Sequence, residues 1–403
     1  MNQIDDNELL KQYIEDLDII DHHCHNLLDE PKCFKYPFVS FFTEGDLNTE
    51  KFIQQSKSTL IYHRSIKEIC QLYGCKNPDE IEKFRETEGL EQLTYRCFKE
   101  AKLETIILDY SFKIYHDNLS IPMKDNKWHS KFSKVYKILR LETVLEDSLV
   151  EAKSRDMTFQ MWLDYARTLV DPTQFQMDSD GIPTIGYKSI VAYRSGLSIK
   201  EYSTEQVATE FDRVLREDLP KSSSIHYRVT SEILIHFFIH FTMEISSRLD
   251  KPLPLQIHTG YGDPDLSLEK CNPLLLKPFI IKFPKVPIVL LHCSYPFCRE
   301  AGFLCWVYSN VYIDIGLAIP FLSVEGMKNS FSALIELCPI DKIFYSSDAH
   351  HIPETYYLSS KWARYVVHHV LAKSIKSNEI TLEEAKKFAE KIFRNNCLDI
   401  YNI

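Results

Sequence analysis

Residues 17–26 read LDIIDHHCHN. A short apolar run closing in a polar cluster is the signature of a strand buried on both faces, as strands of a parallel sheet are. Side chains alternate along a strand, so His23 and His25 share a face and can hold one cation together, while His22 and Cys24 are expected to face the other way into packing. A lone His-x-His says little, since 15 histidines in 403 residues yield about half such a match per chain by chance. Its place at the end of an apolar run gives it weight.

The same design recurs along the chain. ETIILDYS (104–111), KVYKILRLET (134–143), IPTIGYKSIVAY (182–193), PLPLQIHTGYG (252–262), PIVLLHCSYP (287–296), VYIDIGLAIP (311–320) and KIFYSSDAH (342–350) are apolar runs ending in polar residues, with helical patterns between them. Strand and helix alternating at this spacing imply parallel βα units. With the first run they make eight, which predicts an α/β chain folded as a distorted (β/α)8 TIM barrel. Such a barrel gathers the ends of its strands in one mouth. His23, His25, Lys188, His258, His292 and Asp348, far apart in sequence, can then meet at one metal.

The intervening segments fit this frame. Residues 28–102 are helical in pattern and too long for a plain connection, so a helical cap inserted after the first strand is expected; Gly74 is placed to stop one of its helices. Residues 8–17 carry one apolar helical face, read as a lid on the barrel bottom. Helices are also expected at 159–169, at EILIHFFIHFTMEISSRL (232–249), and after Thr381, which forms a capping-box pair with Glu384. The 403 residues are read as a single domain, 1–403.

Composition narrows the function. With 44% hydrophobic and 26% charged residues the chain is globular. A net charge of −10 gives no attraction for nucleic acid or an anionic membrane, so a small-molecule substrate is expected, with homo-oligomerisation open. Eleven cysteines without regular spacing imply reduced thiols and a cytoplasmic setting. The acidic N-terminus carries no secretory pattern, and no run reaches membrane-spanning length.

The candidate chemistry follows from residue types. Buried imidazoles at His258 and His292 must be hydrogen-bonded or metal-bound. Asp348 suits a metal ligand or the base that takes a proton from metal-activated water. Lys188 either pairs with a carboxylate such as Glu142 or, carbamylated, bridges two metals. Arg194, after the fourth strand, and Arg140 with Glu142, at the end of the third, are candidates for binding a substrate carboxylate, though an internal Arg140–Glu142 pair is equally expected. Tyr193, Tyr295 and His350 complete the substrate-binding set, with Arg299 and Glu300 as either mouth or surface groups. Asp314 is expected to orient a ligand histidine from behind. His236 and His240 share a helical face, but Phe237 occupies the place of the glutamate in His-Glu-x-x-His, so they are read as packing; His368 and His369 lie in a terminal helix.

Six of these stretches, DHHCHN, GYKSIVAYRSGL, LQIHTGYGD, VLLHCSYPFCREAG, VYIDIG and FYSSDAHHIPETY, resemble the amidohydrolase superfamily. More narrowly they are similar to the amidohydrolase-like part of fungal FluG and plant nodulin/glutamine-synthetase-like proteins, from Asp21 to about Tyr357. The resemblance implies a distorted barrel of the metal-dependent hydrolase type with one or two divalent ions, zinc being the expected metal. Position by position it implies His23 and His25 as first-strand ligands, Lys188 as the bridging group, His258 and His292 as fifth- and sixth-strand ligands, and Asp348 as the eighth-strand acid. A glutamine synthetase half has no counterpart in these 403 residues, so ligase chemistry is not expected. The implied reaction is hydrolysis of an amide-type C–N bond, a γ-glutamyl amide among the candidates, with Asp348 as base and His292 steadying the oxyanion. The rival reading is a metal-dependent decarboxylase of the aminocarboxymuconate-semialdehyde decarboxylase type; a barrel retained for binding without turnover is a third.

Overall fold

A computed structural model describes residues 5–36, 38–45, 49–110, 115–116, 119–175, 180–220 and 227–403. Each of the eight apolar runs contains a strand: β1 Ile19–Cys24, β2 Leu103–Leu108, β3 Lys134–Arg140, β4 Thr184–Ser189, β5 Leu255–Ile257, β6 Ile288–Leu290, β7 Val311–Asp314 and β8 Ile343–Phe344. They form one sheet in sequence order, every neighbouring pair parallel. β8 is too short for a regular ladder to β1. The seam is closed instead by irregular backbone bonds: His22 N–H to Tyr345 O (3.4 Å), Asp348 N–H to His23 O (3.0 Å) and His25 N–H to Ala349 O (2.9 Å). This is the distorted (β/α)8 barrel.

The strands stop before the apolar runs do, because the run ends peel away from the ladder and become the loops of the mouth. Helices cover the outside. Leu141–Ser154 and Phe159–Val170 follow β3, Thr204–Glu217 and Glu232–Ser246 follow β4, Cys298–Val307 follows β6, Val324–Ile335 follows β7 and Pro353–Lys376 follows β8. Among the described residues no helix is long and apolar enough to cross a membrane.

The interval 28–102 holds two different things. Lys32–Lys35, Phe38–Phe42, Glu50–Lys57 and Leu60–Tyr73, the last stopped by Gly74 at φ 71°, build the cap. Asp79–Ala101 packs along Pro353–Lys376 and delivers the chain to β2, so it is the ordinary crossover helix. It breaks at Gly89, where φ is 75°, and Glu30 from the start of the cap accepts the freed Leu90 N–H at 2.8 Å. Cap and barrel are thereby tied.

The expected bottom lid lies elsewhere. The helix Asp6–Asp16 lies against Pro353–Lys376 and Leu382–Glu390 on the outside, burying Leu10 and Ile14. What closes the barrel floor is the far end of the chain. Cys397 and Tyr401, on the helix Asn396–Tyr401, pack with Ile20, Ile107, Ile138, Ile185, Val289, Leu291 and Phe344. The amphipathic pattern of residues 8–17 reports an apolar face without saying which surface takes it. The chain end looked like a plain terminal helix because its partners are single residues from separate strands.

Above this apolar floor lies a polar layer. Gln256 Nε2 donates to the Tyr401 hydroxyl (2.7 Å) and to His22 O (2.8 Å), while His22 Nε2 meets Asp314 Oδ2 at 3.0 Å. Tyr401 therefore joins floor and polar layer. Tyr401→Ala should cost about 3–5 kcal/mol of stability through the cavity it leaves, and Tyr401→Phe about 1 kcal/mol through the lost hydrogen bond. Urea unfolding reads both, and an alanine variant with the wild-type midpoint would show that the floor is not structural.

Candidate metal centre

The site starts from an irregularity in β1. Register shifts occur between Ile19 and Ile20 and between Asp21 and Cys24, so strict alternation fails there. His22 does not face outward packing as expected: it points into the barrel, into the polar layer. Cys24 is buried as expected, its thiol directed at Ile107 O. Asp21 holds the irregular turn, accepting the His23 N–H (3.3 Å), the Ser347 N–H (2.9 Å) and the Ser347 hydroxyl. One buried carboxylate thus fixes the backbone beside His23 and beside Asp348.

A second carboxylate does the same on the other side. Asp314, at the end of β7, accepts the His292 N–H at 2.6 Å and the Ser346 hydroxyl at 2.6 Å. It orients the backbone of the His292 turn rather than the ring. Burial alone would raise the Asp314 carboxyl, but its bonds to His22 and Ser346 and the nearby His292 ring hold it down, to about 2. The turn is strained: His292, Cys293 and Ser294 have φ of 68°, 55° and 46°, and Asp348 has φ of 52°. Each such non-glycine residue costs about 1–3 kcal/mol, and concentrations of this kind mark functional sites.

Three donors converge. Asp348 Oδ1 lies 3.1 Å from His23 Nε2 and 3.2 Å from His25 Nε2, and the three ligand atoms fall within 4.8 Å of one another. Asp348 Oδ2 is 3.8 Å from His292 Nδ1. His258 packs against this group, its ring 4.5 Å from that of His292 and tilted to it, with Nε2 at 3.1 Å from Tyr261 O. Lys188 Nζ is 3.3 Å from His23 Nε2. All six sequence-predicted ligand positions line one cavity of about 420 Å³.

The electrostatics suit a cation. Burial holds the His23 imidazole down, to about 3, and His292 to about 4, so both are neutral at physiological pH. Asp348 is kept well below the usual carboxylate range: burial opposes this, but His292 and the hydrogen bonds from His23 and His25 outweigh it. Burial also lowers Lys188, to about 8. Neutral imidazoles around an ionised carboxylate form the deprotonated donor set a divalent ion requires. Buried His23 Nδ1 and His292 Nδ1 have no hydrogen-bond partner. The residues fit a metal.

The other predicted contacts divide. Arg194, Tyr193, Arg140 and His350 line the cavity. Arg140 is held by Asp109, Nε to Oδ2 at 3.0 Å, and Glu142 instead accepts the Ser189 hydroxyl at 2.7 Å, so neither the Arg140–Glu142 pair nor a Lys188–Glu142 pair forms. Glu142 does not line the cavity. Tyr295 faces a separate surface groove beside Arg299, which pairs with Glu336 at 2.8 Å. Of the histidines read as packing, His236 bonds the Ser195 hydroxyl at 2.8 Å, and His240 lies between Phe279 and Phe283.

Glu44, Arg228, Asp263, Asp265 and His351 also line the cavity. Asp263 and Asp265 follow His258 in the same strand-end loop, a position that could have marked them. Glu44 comes from the cap, and nothing local in VSFFTEG announces where it lands. Tyr193 is seated over His258, ring centroids 4.4 Å apart, because residue 262 is glycine: a Cβ there would lie 1.9 Å from the Tyr193 hydroxyl.

Comparison with known proteins agrees with this picture. The family model described as Amidohydrolase matches residues 250–403. The chain is 27% identical to the protein fluG of Emericella nidulans over 98% of its own length and 47% of that protein's, so it spans about half of the curated relative it matches. A crystal structure from Lactobacillus casei, described as a "putative metal-dependent hydrolase", superposes with a TM-score of 0.81 at 27% identity, covering 98% of this chain and 97% of the other. A uronate isomerase of Bacillus halodurans shares the fold, with a TM-score of 0.65 at 14% identity over 99% and 98% of the two chains.

Buried neutral imidazoles make stability depend on pH. His23 (about 3), His129 (about 4), His236 (about 4) and His292 (about 4) are all lowered from 6.5, chiefly by burial. The unfolded chain binds these protons as pH falls through 6.5 and the folded chain does not, so stability present above 6.5 drains away toward pH 4. Urea midpoints should fall steeply between about pH 7 and 4.5, and a flat profile would contradict the burial of neutral rings.

Proposed function

We propose that this chain, which is an amidohydrolase-superfamily protein, is a metal-dependent hydrolase that cleaves an amide-type C–N bond in a small, carboxylate-bearing substrate. One observation carries the reading: His23, His25 and Asp348 converge within 4.8 Å at the barrel mouth, in the same cavity as Arg194. His23, His25 and Asp348 would hold the ion, with His258, His292 and Lys188 at hand for a second. Imidazole and carboxylate donors suit zinc.

A divalent ion held here would supply a water acidic enough to give up a proton near neutral pH. Asp348, kept anionic by its neighbours, accepts that proton through a carboxylate oxygen. His292, neutral and without a hydrogen-bond partner at Nδ1, would offer an N–H to the oxyanion that develops as the activated water adds to the substrate carbonyl carbon. The C–N bond then breaks, and Asp348 returns its proton to the departing amine. Arg194 anchors the substrate: one of its nitrogens lies 3.3 Å from Glu146 Oε1, and its buried Nε has no partner, leaving a donor for a carboxylate. Lys188, softened as a base by burial, has the reactivity that carbamylation needs.

The test is metal content measured beside turnover of a panel of carboxylate-bearing amides. Wild-type protein should carry zinc and release amine or ammonia, and chelation should stop the release. Asp348→Asn should keep metal yet lose about 10²–10⁴-fold in kcat, whereas His23→Ala should lose metal itself. Undiminished turnover by Asp348→Asn removes Asp348 as the base, and carbon dioxide released in place of amine would shift the assignment to a decarboxylase.

A further inference from the structure

The cavity carries a basic pair and an acidic pair. Arg194, only 8% exposed, and Arg228 repel one another; Arg194 leans on Glu146, and Arg228 reaches Asp265 and, at 3.2 Å, Tyr193 O. The second pair is acidic. Glu44, from the cap, meets Asp263, from the loop after β5, carboxyl to carboxyl. Among the described residues no lysine or arginine forms an ion pair with either, and Glu44 Oε1 is buried with no hydrogen-bond partner. Two carboxyl groups meet this way only with a proton between them, which is why burial and Asp263 push the Glu44 carboxyl well above its ordinary range, and a cation between them can take that proton's place.

The missing cation has a definable chemistry. A metal ion needs at least three ligands, and among the described residues the only group of three or more candidate ligands is His23, His25 and Asp348. Glu44 and Asp263 provide two carboxyl groups and no third donor. A primary ammonium needs only acceptors, and its three N–H groups match the oxygens these two present. In the same cavity Arg194 Nε is an unclaimed donor for an anion. Both halves of a zwitterion are provided for.

We propose that the substrate carries a free amino group bound by Glu44 and Asp263 together with a carboxylate bound by Arg194, so that the class is amides of amino acids and not of simple carboxylic acids. This rests on reading the cavity as the active site. It makes Glu44, contributed by the inserted cap, a specificity-determining residue, and gives the cap a chemical task beyond covering the mouth.

The experiment uses zinc-loaded full-length protein and calorimetric titration with matched pairs that differ only in the amine: glutarate and L-glutamate, succinate and L-aspartate, adipate and L-2-aminoadipate. In at least one pair the aminated member should bind about tenfold tighter or better, and the preference should fall to near unity in Glu44→Gln/Asp263→Asn while the plain dicarboxylate binds as before. Equal binding within every pair, no binding by any member, or a preference that survives the double substitution would overturn the proposal. Thermal melting guards against misfolding: Glu44→Gln alone, whose amide can still donate to Asp263, should melt no lower than wild type, and it should lose part of the amine preference. Amide turnover measured in parallel separates the two readings. Hydrolysis without amine preference keeps the hydrolase and discards this recognition; amine-dependent binding without hydrolysis does the reverse.

Discussion

A single seam governs this protein. β8 is only two residues long, and the barrel is completed by the Asp348 N–H reaching across to His23 O. The same residue then turns its carboxylate onto His23 Nε2 and His25 Nε2. The backbone that closes the seam therefore also carries His23, His25 and Asp348, whose side chains meet there.

Two buried carboxylates make that seam rigid. Asp21 gathers the backbone of His23 and Ser347, and Asp314 gathers the backbone of His292 and the hydroxyl of Ser346. Each spends its hydrogen-bonding capacity on an irregular strand end that has lost its ladder partners. Positive φ angles at His292 and Asp348 become tolerable under these bonds. The interior is layered accordingly: an apolar floor sealed by Tyr401, a polar layer of His22, Gln256 and Asp314, then the donors in the mouth. In the mouth, burial is what keeps His23 and His292 neutral.

The barrel was legible because parallel strands announce themselves. Runs such as PIVLLHCSYP and VYIDIGLAIP are too apolar for an exposed face and too short for most helices, and eight of them separated by helical patterns leave few topologies. The donors were legible for the same reason, since a barrel sends residues at strand ends to one place. The errors have a common cause. His22 was assigned to the wrong face because alternation presumes a regular strand, and β1 is irregular where Asp21 pulls on it. Residues 8–17 were put on the floor that residues 396–401 in fact fill, because an apolar face does not name its partner. The Arg140–Glu142 pair, one of two expectations for Arg140, does not form because Asp109, just past the end of the adjacent strand, stands opposite it.

By itself, then, the sequence determined the number and order of strands and the residues that end them, since apolar periodicity and strand-end chemistry are local properties written residue by residue. Tertiary structure alone decided which polar groups meet and which are left without a partner. The meeting of Glu44 with Asp263, the release of Arg194 Nε, and the neutrality of His23 all follow from burial and from distances between segments far apart in the chain. A carboxylate in sequence is only a carboxylate; its partner, or the lack of one, exists only once the chain has closed.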